Sequence, residues 1–373
     1  MSKAAELAAL IANVNKGSSL ANKNLLINSE MEVSQRGTSF TTASGYGAYT
    51  LDRWMSGHTV TGKFSIAQVA DAPTGFKYSL KATSASAYSA GTNEEFIIRQ
   101  RIEGQNCIPL ALGTSSAKTV TLSFWVKSSL TGTFSGAFLN SAEDRCYVFT
   151  YAISSADTWE KKEVTVALDT SGTWLTTNGI GLTLYFSLGA GSGLQATAGS
   201  WISTKDLTTS GSVNLVGTNA ATWFITGVQL EIGEKATAFE HEPFEATLQK
   251  CQRYYFRIEG DDIDGGKYAT HYRKRSAPGQ WYTDTQVISI FDFPVPMRAA
   301  PTALEQNGTD SDYDFVYRNT TSTPSGSVIS FDAATQYNCS VTQSGHTDNN
   351  AQGEAGFQRI RQAAGYLGWS AEL

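Results

Sequence analysis

Four aromatic side chains of this sequence stand beside polar residues and turns, where a flat ring can stay open to solvent. They are Tyr88, Trp174, Trp281 and Tyr282. Trp281 and Tyr282 are the strongest candidates, because they are adjacent in KRSAPGQWYTDTQ, a stretch that reads as a polar loop. Aromatic rings with a donor at one edge suit the apolar face of a sugar ring. The competing interpretation is core packing, and for Trp281 the opening of a core strand.

Two further aromatic motifs favour structural roles. In YTLDRW, Trp54 follows Asp52 and Arg53. A Trp beside a charge pair could stack on a sugar. Large aromatic side chains are mostly buried, however, so we expect Trp54 to pack in the core and Asp52 and Arg53 to hold a loop. In TLSFWVKSS, Phe124 and Trp125 are neighbours. Successive strand residues face opposite sides of a sheet, so one of these two rings can reach the surface.

Carboxylate pairs raise the alternative of a glycosidase, which needs two carboxyl groups about 5–10 Å apart across the scissile bond. Adjacent acids in Gly-rich loops are usually solvated turn residues. The GxSxG, P-loop and HExxH signatures do not occur, so no catalytic residue is assigned. A depolymerase stays open as the least favoured alternative, because its acids could meet only in space. The candidate acids are Glu94 and Glu95, then Asp261, Asp262 and Asp264, then Asp310, Asp312 and Asp314.

Cysteine and histidine residues do not form a metal or redox motif. No CxxC spacing occurs, and the histidines are scattered, so neither a zinc site nor a redox pair is expected. Buried thiols are the favoured interpretation of the cysteines, and no cofactor is predicted. These residues are Cys107, Cys146, Cys251 and Cys339, and His58, His241, His271 and His346.

Composition restricts the class of protein. Only 17% of the 373 residues are charged, against about 25% in an ordinary globular domain. Few charges and 11% aromatic residues favour a β-sandwich. The net charge is −6 and no Lys/Arg run occurs, so nucleic acid is not expected as a partner. No run of about 18 apolar residues is present, so no membrane insertion is expected. The start MSKAAELAALIANVNK lacks a signal-peptide core, which indicates synthesis in a cytoplasm without that export route.

Hydrophobic patterning divides the sequence into three parts. Residues 1–21 carry apolar residues at helical spacing and predict a short N-terminal helix, which must pack on the body of the protein, on sister chains or on a partner protein. Residues 22–245 hold short strand-like runs between turns, which predicts a jelly-roll β-sandwich. Residues 246–373 predict a smaller C-terminal β-domain, in which the prolines of PVPMRAAP exclude a central strand. The fold class is therefore mostly β.

Several stretches together resemble the tail-fibre proteins of marine and other environmental phages. They are NLLINSEMEVSQRGTSF with YTLDRW, then FITGVQLEIGEKATAFEHEPFEATLQKCQRYYF, then PVPMRAAPT with the terminal GWSAEL. The first two also resemble carbohydrate-binding modules of the jelly-roll type. This resemblance implies a jelly-roll module, a small C-terminal β-domain, homotrimeric assembly and a place on the virion.

The resemblance to carbohydrate-binding modules also implies a structural calcium near the first strand. Asn28, Glu30 and Glu32 stand at the corresponding positions, which makes them weak calcium candidates. The sequence departs from the module at Gly227, where an Asp is usual. Calcium takes six to eight oxygen ligands, so the departure argues against the ion.

Three hypotheses follow for the function. The first is a tail fibre or spike that binds a glycan of the bacterial surface during adsorption. The second is a purely structural head fibre, decoration or fibre-adaptor protein, and the third is the depolymerase. The expected partners are two further copies in a homotrimer, phage tail or capsid proteins at the N-terminus, and the host glycan. Recognition is predicted in the C-terminal domain around Trp281 and Tyr282, with the jelly roll as the alternative.

Overall fold

A computed structural model describes residues 23–42, 47–259, 276–309, 312–317, 320–322, 329–346, 352–360 and 365–373. The predicted N-terminal helix, at residues 1–21, lies outside these ranges. The chain divides into two compact units, residues 1–247 with Leu373, and residues 248–372. The sequence predicted a division between residues 245 and 246. Two short helices are present among the described residues, α1 (Gly104–Cys107) and α2 (Phe244–Gln252), with 3₁₀ turns at Ile108–Leu110, Ser192–Leu194 and Leu215–Gly217.

Unit 1 is a jelly-roll β-sandwich of two six-stranded antiparallel sheets, which confirms the predicted fold class. The first sheet has the order β1 (Ser39–Thr41), β3 (Phe64–Val69), β4 (Ser79–Ser84), β12 (Thr222–Ile232), β6 (Thr119–Ser128) and β9 (Glu160–Ala167). The second sheet has the order β11 (Trp201–Ile202), β8 (Cys146–Ile153), β7 (Gly132–Leu139), β10 (Ile180–Ala190), β5 (Glu95–Glu103) and β2 (Met55–His58).

The core of unit 1 lies between the two sheets and follows from the alternation along each strand. Phe124 of β6 is fully buried, while the neighbouring Trp125 faces the other side and is half-buried. Trp54 is also fully buried, and its indole Nε1 donates to the Asn28 carbonyl at 3.0 Å. The structural interpretation of the YTLDRW motif is therefore confirmed.

The outer face of the second sheet is largely covered by the segment that carries β11. Ile97, Leu139 and Val148 point outward from this sheet and are nevertheless buried. Leu194 and Ile202 of the covering segment pack on them. The covering segment therefore buries much of the outer face of the second sheet.

Unit 2 is the smaller C-terminal β-domain and holds two antiparallel sheets. Its core gathers Phe256, Phe291, Tyr313, Val341 and Trp369. The three-stranded sheet has the order β13 (Tyr255–Glu259), β22 (Tyr366–Ser370) and β16 (Glu305–Asn307). The seven-stranded sheet has the order β18 (Thr320–Ser322), β17 (Tyr313–Tyr317), β21 (Ala355–Ile360), β14 (Ser276–Trp281), β15 (Val287–Asp292), β20 (Asn338–Gln343) and β19 (Ser330–Ala334).

One prediction about unit 2 was wrong. The sequence predicted a polar loop at APGQW, but this stretch forms strand β14, paired with β21 on one side and β15 on the other. The reason is the period-2 pattern of Ala277 and Trp281, which both face the core. Of the helices that the structure describes, none is long and apolar enough to cross a membrane.

Candidate functional site

Three aromatic side chains meet where β8 and β11 form the edge of the second sheet. Trp201 opens β11 opposite Tyr147 of β8, and their ring centroids are 5.4 Å apart. Trp174 lies edge-on to Trp201, with centroids 5.5 Å apart and an interplanar angle of 89°. All three rings are half-buried and pack against the sandwich core on their inner side. We call Tyr147, Trp174 and Trp201 the tryptophan edge.

Both indoles of the tryptophan edge are tied to the main chain. The Nε1 of Trp174 donates to the Ser171 carbonyl at 2.9 Å, and the Nε1 of Trp201 donates to the Ala167 carbonyl at 2.8 Å. These bonds satisfy the only polar atom of each side chain and restrict rotation of the ring. A ring that is already ordered loses little conformational entropy when a ligand covers it. The edge is therefore preorganised for stacking.

A charge pair supports the loop that carries Trp174. The Arg145 guanidinium binds Asp169 through two bonds, Nε to Oδ2 at 2.5 Å and a terminal nitrogen to Oδ1 at 3.0 Å. Asp169 also accepts from the backbone N–H and hydroxyl of Ser171, whose carbonyl holds Trp174. Burial alone would raise the pKa of Asp169, but the bonds to Arg145 and Ser171 outweigh it and lower the pKa. Asp169 thus connects the ion pair to the indole.

Replacing Asp169 with Asn is expected to destabilise the fold by about 1.5–3 kcal/mol near neutral pH, because the half-buried Arg145 loses the charged acceptor that the buried Asp169 provides. The folded-state pKa of Asp169 is lowered, so its stabilising contribution is present above the unfolded-state pKa, near 3.9, and is lost as pH falls through the folded-state value. The difference between the two proteins should therefore shrink on going from about pH 7 to about pH 3. Urea unfolding at both pH values measures it.

The matched control for this prediction is the exposed Asp157 of the same unit. Asp157→Asn is expected to change stability by no more than about 0.5 kcal/mol at either pH. A constant difference between Asp169→Asn and the parent protein across the pH range would contradict the assigned role of the carboxylate.

The structure separates the two leading candidates of unit 2. Trp281 is fully buried at the end of β14, with its ring edge-on to Phe315 and Tyr317 at 5.7 and 5.5 Å. It presents no face to solvent, so its assignment as a stacking residue is corrected to a core position. Tyr282, the next residue, points the other way and is 54% exposed. Its backbone N–H donates to the Gln286 carbonyl at 2.8 Å and closes a hairpin. One ring of the predicted pair therefore stays available.

Tyr88 is a half-buried ring whose surroundings are already filled. Its hydroxyl donates to Glu94 at 2.9 Å, which raises the pKa of Tyr88. The ammonium of Lys63 lies 4.2 Å from the ring centroid, and Phe96 packs edge-on at 5.8 Å. Trp174 belongs to the tryptophan edge, and no described contact joins it to Tyr88. The structure therefore does not gather the predicted aromatic candidates into one site.

The predicted acid candidates that the structure describes make structural contacts. Glu95 is buried, and its Oε2 lies 3.1 Å from the Lys205 ammonium. Asp314 is buried against Arg359, and Asp312 accepts the Thr309 backbone N–H. Glu94 holds Tyr88, as described above. The remaining candidates, Asp261, Asp262, Asp264 and Asp310, lie outside the described residues.

The three calcium candidates line a shallow pocket in unit 1. The Asn28 amide is already engaged, because its Oδ1 accepts from Val33 and its Nδ2 donates to the carbonyls of Val33 and Asp52. Burial raises the pKa of Glu30, although its Oε2 lies 2.9 Å from Nδ1 of His241. Within the described ranges, no group of three or more His, Cys, Asp and Glu residues could hold a metal ion. The pocket is lined by Asn24, Leu26, Asn28, Ser29, Glu30, Glu32, Phe239, Glu240, Glu242 and Thr247.

Sequence reasoning did not single out Tyr147 or Trp201 as partners of Trp174. The available signal was local, since Trp201 lies in GSWIST, a short stretch rich in hydroxyl residues. Its meeting with Tyr147 depends on the pairing of β11 with β8, which no short-range pattern encodes.

Comparisons with known proteins give structural neighbours of low sequence identity. No family model and no curated protein matches the sequence. The enzymatically active domain of bacteriophage CBA120 tailspike protein 4 is 13% identical over 48% of this chain and 19% of that chain, about a fifth of its length, with a TM-score of 0.30. A putative sugar binding protein from Bacteroides thetaiotaomicron VPI-5482 is 12% identical over 56% of this chain and 100% of that chain, with a TM-score of 0.34. TmCBM61, solved with β-1,4-galactotriose, is 10% identical over 57% of this chain and 100% of that chain, with a TM-score of 0.29.

Proposed function

We propose that this chain is a bacteriophage virion protein, a tail fibre or spike that binds a glycan of the bacterial surface during adsorption. The observation that carries the glycan-binding part is the tryptophan edge, with two half-exposed indoles held in place by main-chain bonds. The phage assignment is supported by the sequence motifs that resemble tail-fibre proteins. Assembly as a homotrimer, and attachment to other virion proteins through the N-terminus, belong to the same proposal.

The tryptophan edge has the chemistry that a sugar site requires. Trp side chains supply a large rigid contact area at low entropic cost, and their faces are apolar while the rims are polar. The Arg145–Asp169 pair lies behind the loop and keeps Trp174 in place. The sequence predicted recognition in the C-terminal unit around Trp281 and Tyr282. The burial of Trp281 moves the proposal to the jelly roll, which was the stated alternative.

Binding without hydrolysis is part of the proposal. The described members of the predicted acid pairs are held in ion pairs and loop hydrogen bonds. Enzymes lower barriers by roughly 8 kcal/mol or more, which requires positioned groups. The chain is therefore proposed to hold its glycan intact.

Replacing Trp174 or Trp201 with Ala in the full chain is expected to weaken glycan binding about tenfold or more, because each change removes a central aromatic anchor. Immobilised bacterial lipopolysaccharides and capsular polysaccharides provide the ligands, and bound polysaccharide should be recovered uncleaved. Thermal melting of each variant shows whether the fold survives. Trp201→Phe retains an aromatic face and removes only the bond to Ala167, so it should keep most of the affinity.

Tyr282→Ala is the matched control, since it removes an exposed aromatic ring from unit 2. Its binding should equal that of the parent protein. Parent-like binding by both folded Trp→Ala variants would refute the assignment to the tryptophan edge. Loss of binding in Tyr282→Ala would return recognition to the C-terminal unit.

A further inference from the structure

Cationic and aromatic side chains alternate across the outer face of the first sheet of unit 1. Lys81 of β4 is opposite Phe224 of β12, and Phe224 is opposite Lys127 of β6. Trp159 directly precedes β9 on the other side of Lys127. The Phe224 ring centroid is 5.4 Å from the Lys81 ammonium and 4.4 Å from that of Lys127, which lies 5.3 Å from the Trp159 ring. We call Lys81, Phe224, Lys127 and Trp159 the lysine–aromatic row.

One carboxylate fixes the Trp159 end of this row. The Asp71 Oδ2 accepts from the Lys127 ammonium at 2.5 Å, and its Oδ1 accepts from the Trp159 indole at 3.2 Å. Burial tends to raise the pKa of Asp71, but these two bonds and the charges of Lys127 and Lys81 lower it. The carboxylate therefore stays ionised and orients both the ammonium and the indole. Lys127 and Asp71 are positioning residues.

Lys81 differs from Lys127 in its partners. Within the part of the chain that the structure describes, its ammonium makes no hydrogen bond or ion pair, and the Phe224 ring is its contact. The side chain is half-buried, so its charge remains accessible. Two lysines and one carboxylate leave the row positively charged, on a chain whose net charge is −6. A local excess of positive charge on an acidic protein favours an anionic ligand.

The dimensions of the row define the distance that a ligand must span. The Phe224 ring centroid lies 6.1 Å from that of Trp159 and 5.4 Å from the Lys81 ammonium, so the two ends of the row are no more than about 12 Å apart. The Phe224 ring is buried beneath the lysines, so a ligand meets a cation at one end and a flat ring at the other.

We propose that the lysine–aromatic row binds an acidic oligosaccharide that lies across the strands, with a sugar face on Trp159 and a carboxylate on Lys81. An extended anion with ring faces matches the charge, the indole and the separation together. The inference rests on the proposed glycan-binding function but uses another surface. Substitutions in the tryptophan edge and substitutions in this row are therefore expected to affect glycan binding independently.

Titration of the full chain with oligomers of polygalacturonate and with their methyl esters tests the proposal, because the two probes differ in carboxylate charge. The acidic oligomer should bind more tightly, and its affinity should fall as salt rises. Lys81→Gln should weaken acidic binding about fivefold, as expected for one partly exposed ion pair, and leave binding of the ester unchanged. Lys81→Arg keeps the positive charge and should bind the acidic oligomer as tightly as the parent protein does. Trp159→Ala should lower affinity for both probes about tenfold.

Lys63→Gln is the matched control, since it removes a lysine that covers the Tyr88 ring elsewhere in unit 1. Its binding should equal that of the parent protein. Equal binding of acid and ester, or an unchanged affinity in Lys81→Gln, overturns the proposal. Polyglutamate tests the anion alone, and binding as tight as that of the acidic oligomer would overturn the sugar requirement. Lys81 lies at the surface, so Lys81→Gln remains informative if Trp159→Ala does not fold.

Discussion

Replacing Phe186 with Ala is expected to lower the free energy of unfolding by about 3–5 kcal/mol, a large part of the stability of an ordinary domain. Phe186 is fully buried on β10, and its ring meets aromatic rings from both sheets. Rigid neighbours collapse poorly into a cavity, so the lost transfer free energy and the cavity term add. The centroid distances are 5.1 Å to Phe124, 5.7 Å to Trp223, 6.3 Å to Phe149 and 6.4 Å to Tyr151.

Urea unfolding followed by circular dichroism measures this loss. Phe186→Leu keeps most of the volume and should cost clearly less than Phe186→Ala. Ile232→Ala removes an apolar side chain that is 45% exposed in the same unit, and should stay within about 1 kcal/mol of the parent protein. A cost below about 1 kcal/mol for Phe186→Ala would show that the sandwich core adapts more readily than its packing indicates.

Local sequence patterns correctly predicted which side chains are buried where the alternation of side chains along a strand alone determines burial. The alternation in TLSFWVKSS separates Phe124 from Trp125, and the structure buries the first while leaving the second half-buried. The preference of large rings for the core likewise predicted the burial of Trp54. The mostly β fold class follows from many such strands together. These inferences needed no knowledge of which strands pair.

Local patterns gave a wrong prediction where glycines that are typical of turns lie inside strands and leave room for a neighbouring side chain. The sequence predicted a loop at Gly279, but this residue of β14 is the cross-strand partner of Gly356 of β21. A Cβ at Gly356 would lie 2.5 Å from the Phe315 ring, and one at Gly279 would lie 3.0 Å from it. The two glycines therefore leave room for Phe315, which itself packs on Trp281. Composition cannot distinguish a glycine that turns the chain from one that admits a neighbouring ring.

The candidate site was accessible from the sequence only in part. Trp174 stood out because polar residues flank it. Its partner Trp201 reaches it through the β11–β8 pairing, and Trp159 reaches Lys127 through the β9–β6 register. Both contacts depend on which strands are neighbours in the sheet. That order is set by pairing between strands far apart in the sequence, which a short stretch of sequence does not encode. The grouping of residues into a sheet-surface site therefore cannot be predicted from local sequence.

Replacing Asp314 with Ala is expected to destabilise unit 2 by about 3–5 kcal/mol, because it leaves a buried guanidinium without its counter-charge. Asp314 of β17 and Arg359 of β21 are direct cross-strand partners. Two bonds of 2.7 Å join the guanidinium to the two carboxylate oxygens, and the side chains are 0% and 7% exposed. The hydroxyl of Thr321 lies 3.4 Å from the guanidinium and cannot replace a charge. Urea unfolding of the full chain measures the loss.

The double variant Asp314→Leu with Arg359→Met separates the ion pair from the packing around it. Removing both charges removes the cost of burying them, so the double variant should lie much closer to the parent protein than Asp314→Ala does. The exposed pair Lys161 and Glu163, joined at 3.3 Å, provides the surface comparison, and Glu163→Gln should change stability by no more than about 1 kcal/mol. If Asp314→Ala cost no more than Glu163→Gln, water would reach Arg359 in the folded protein. The buried pair would then contribute nothing beyond a surface contact.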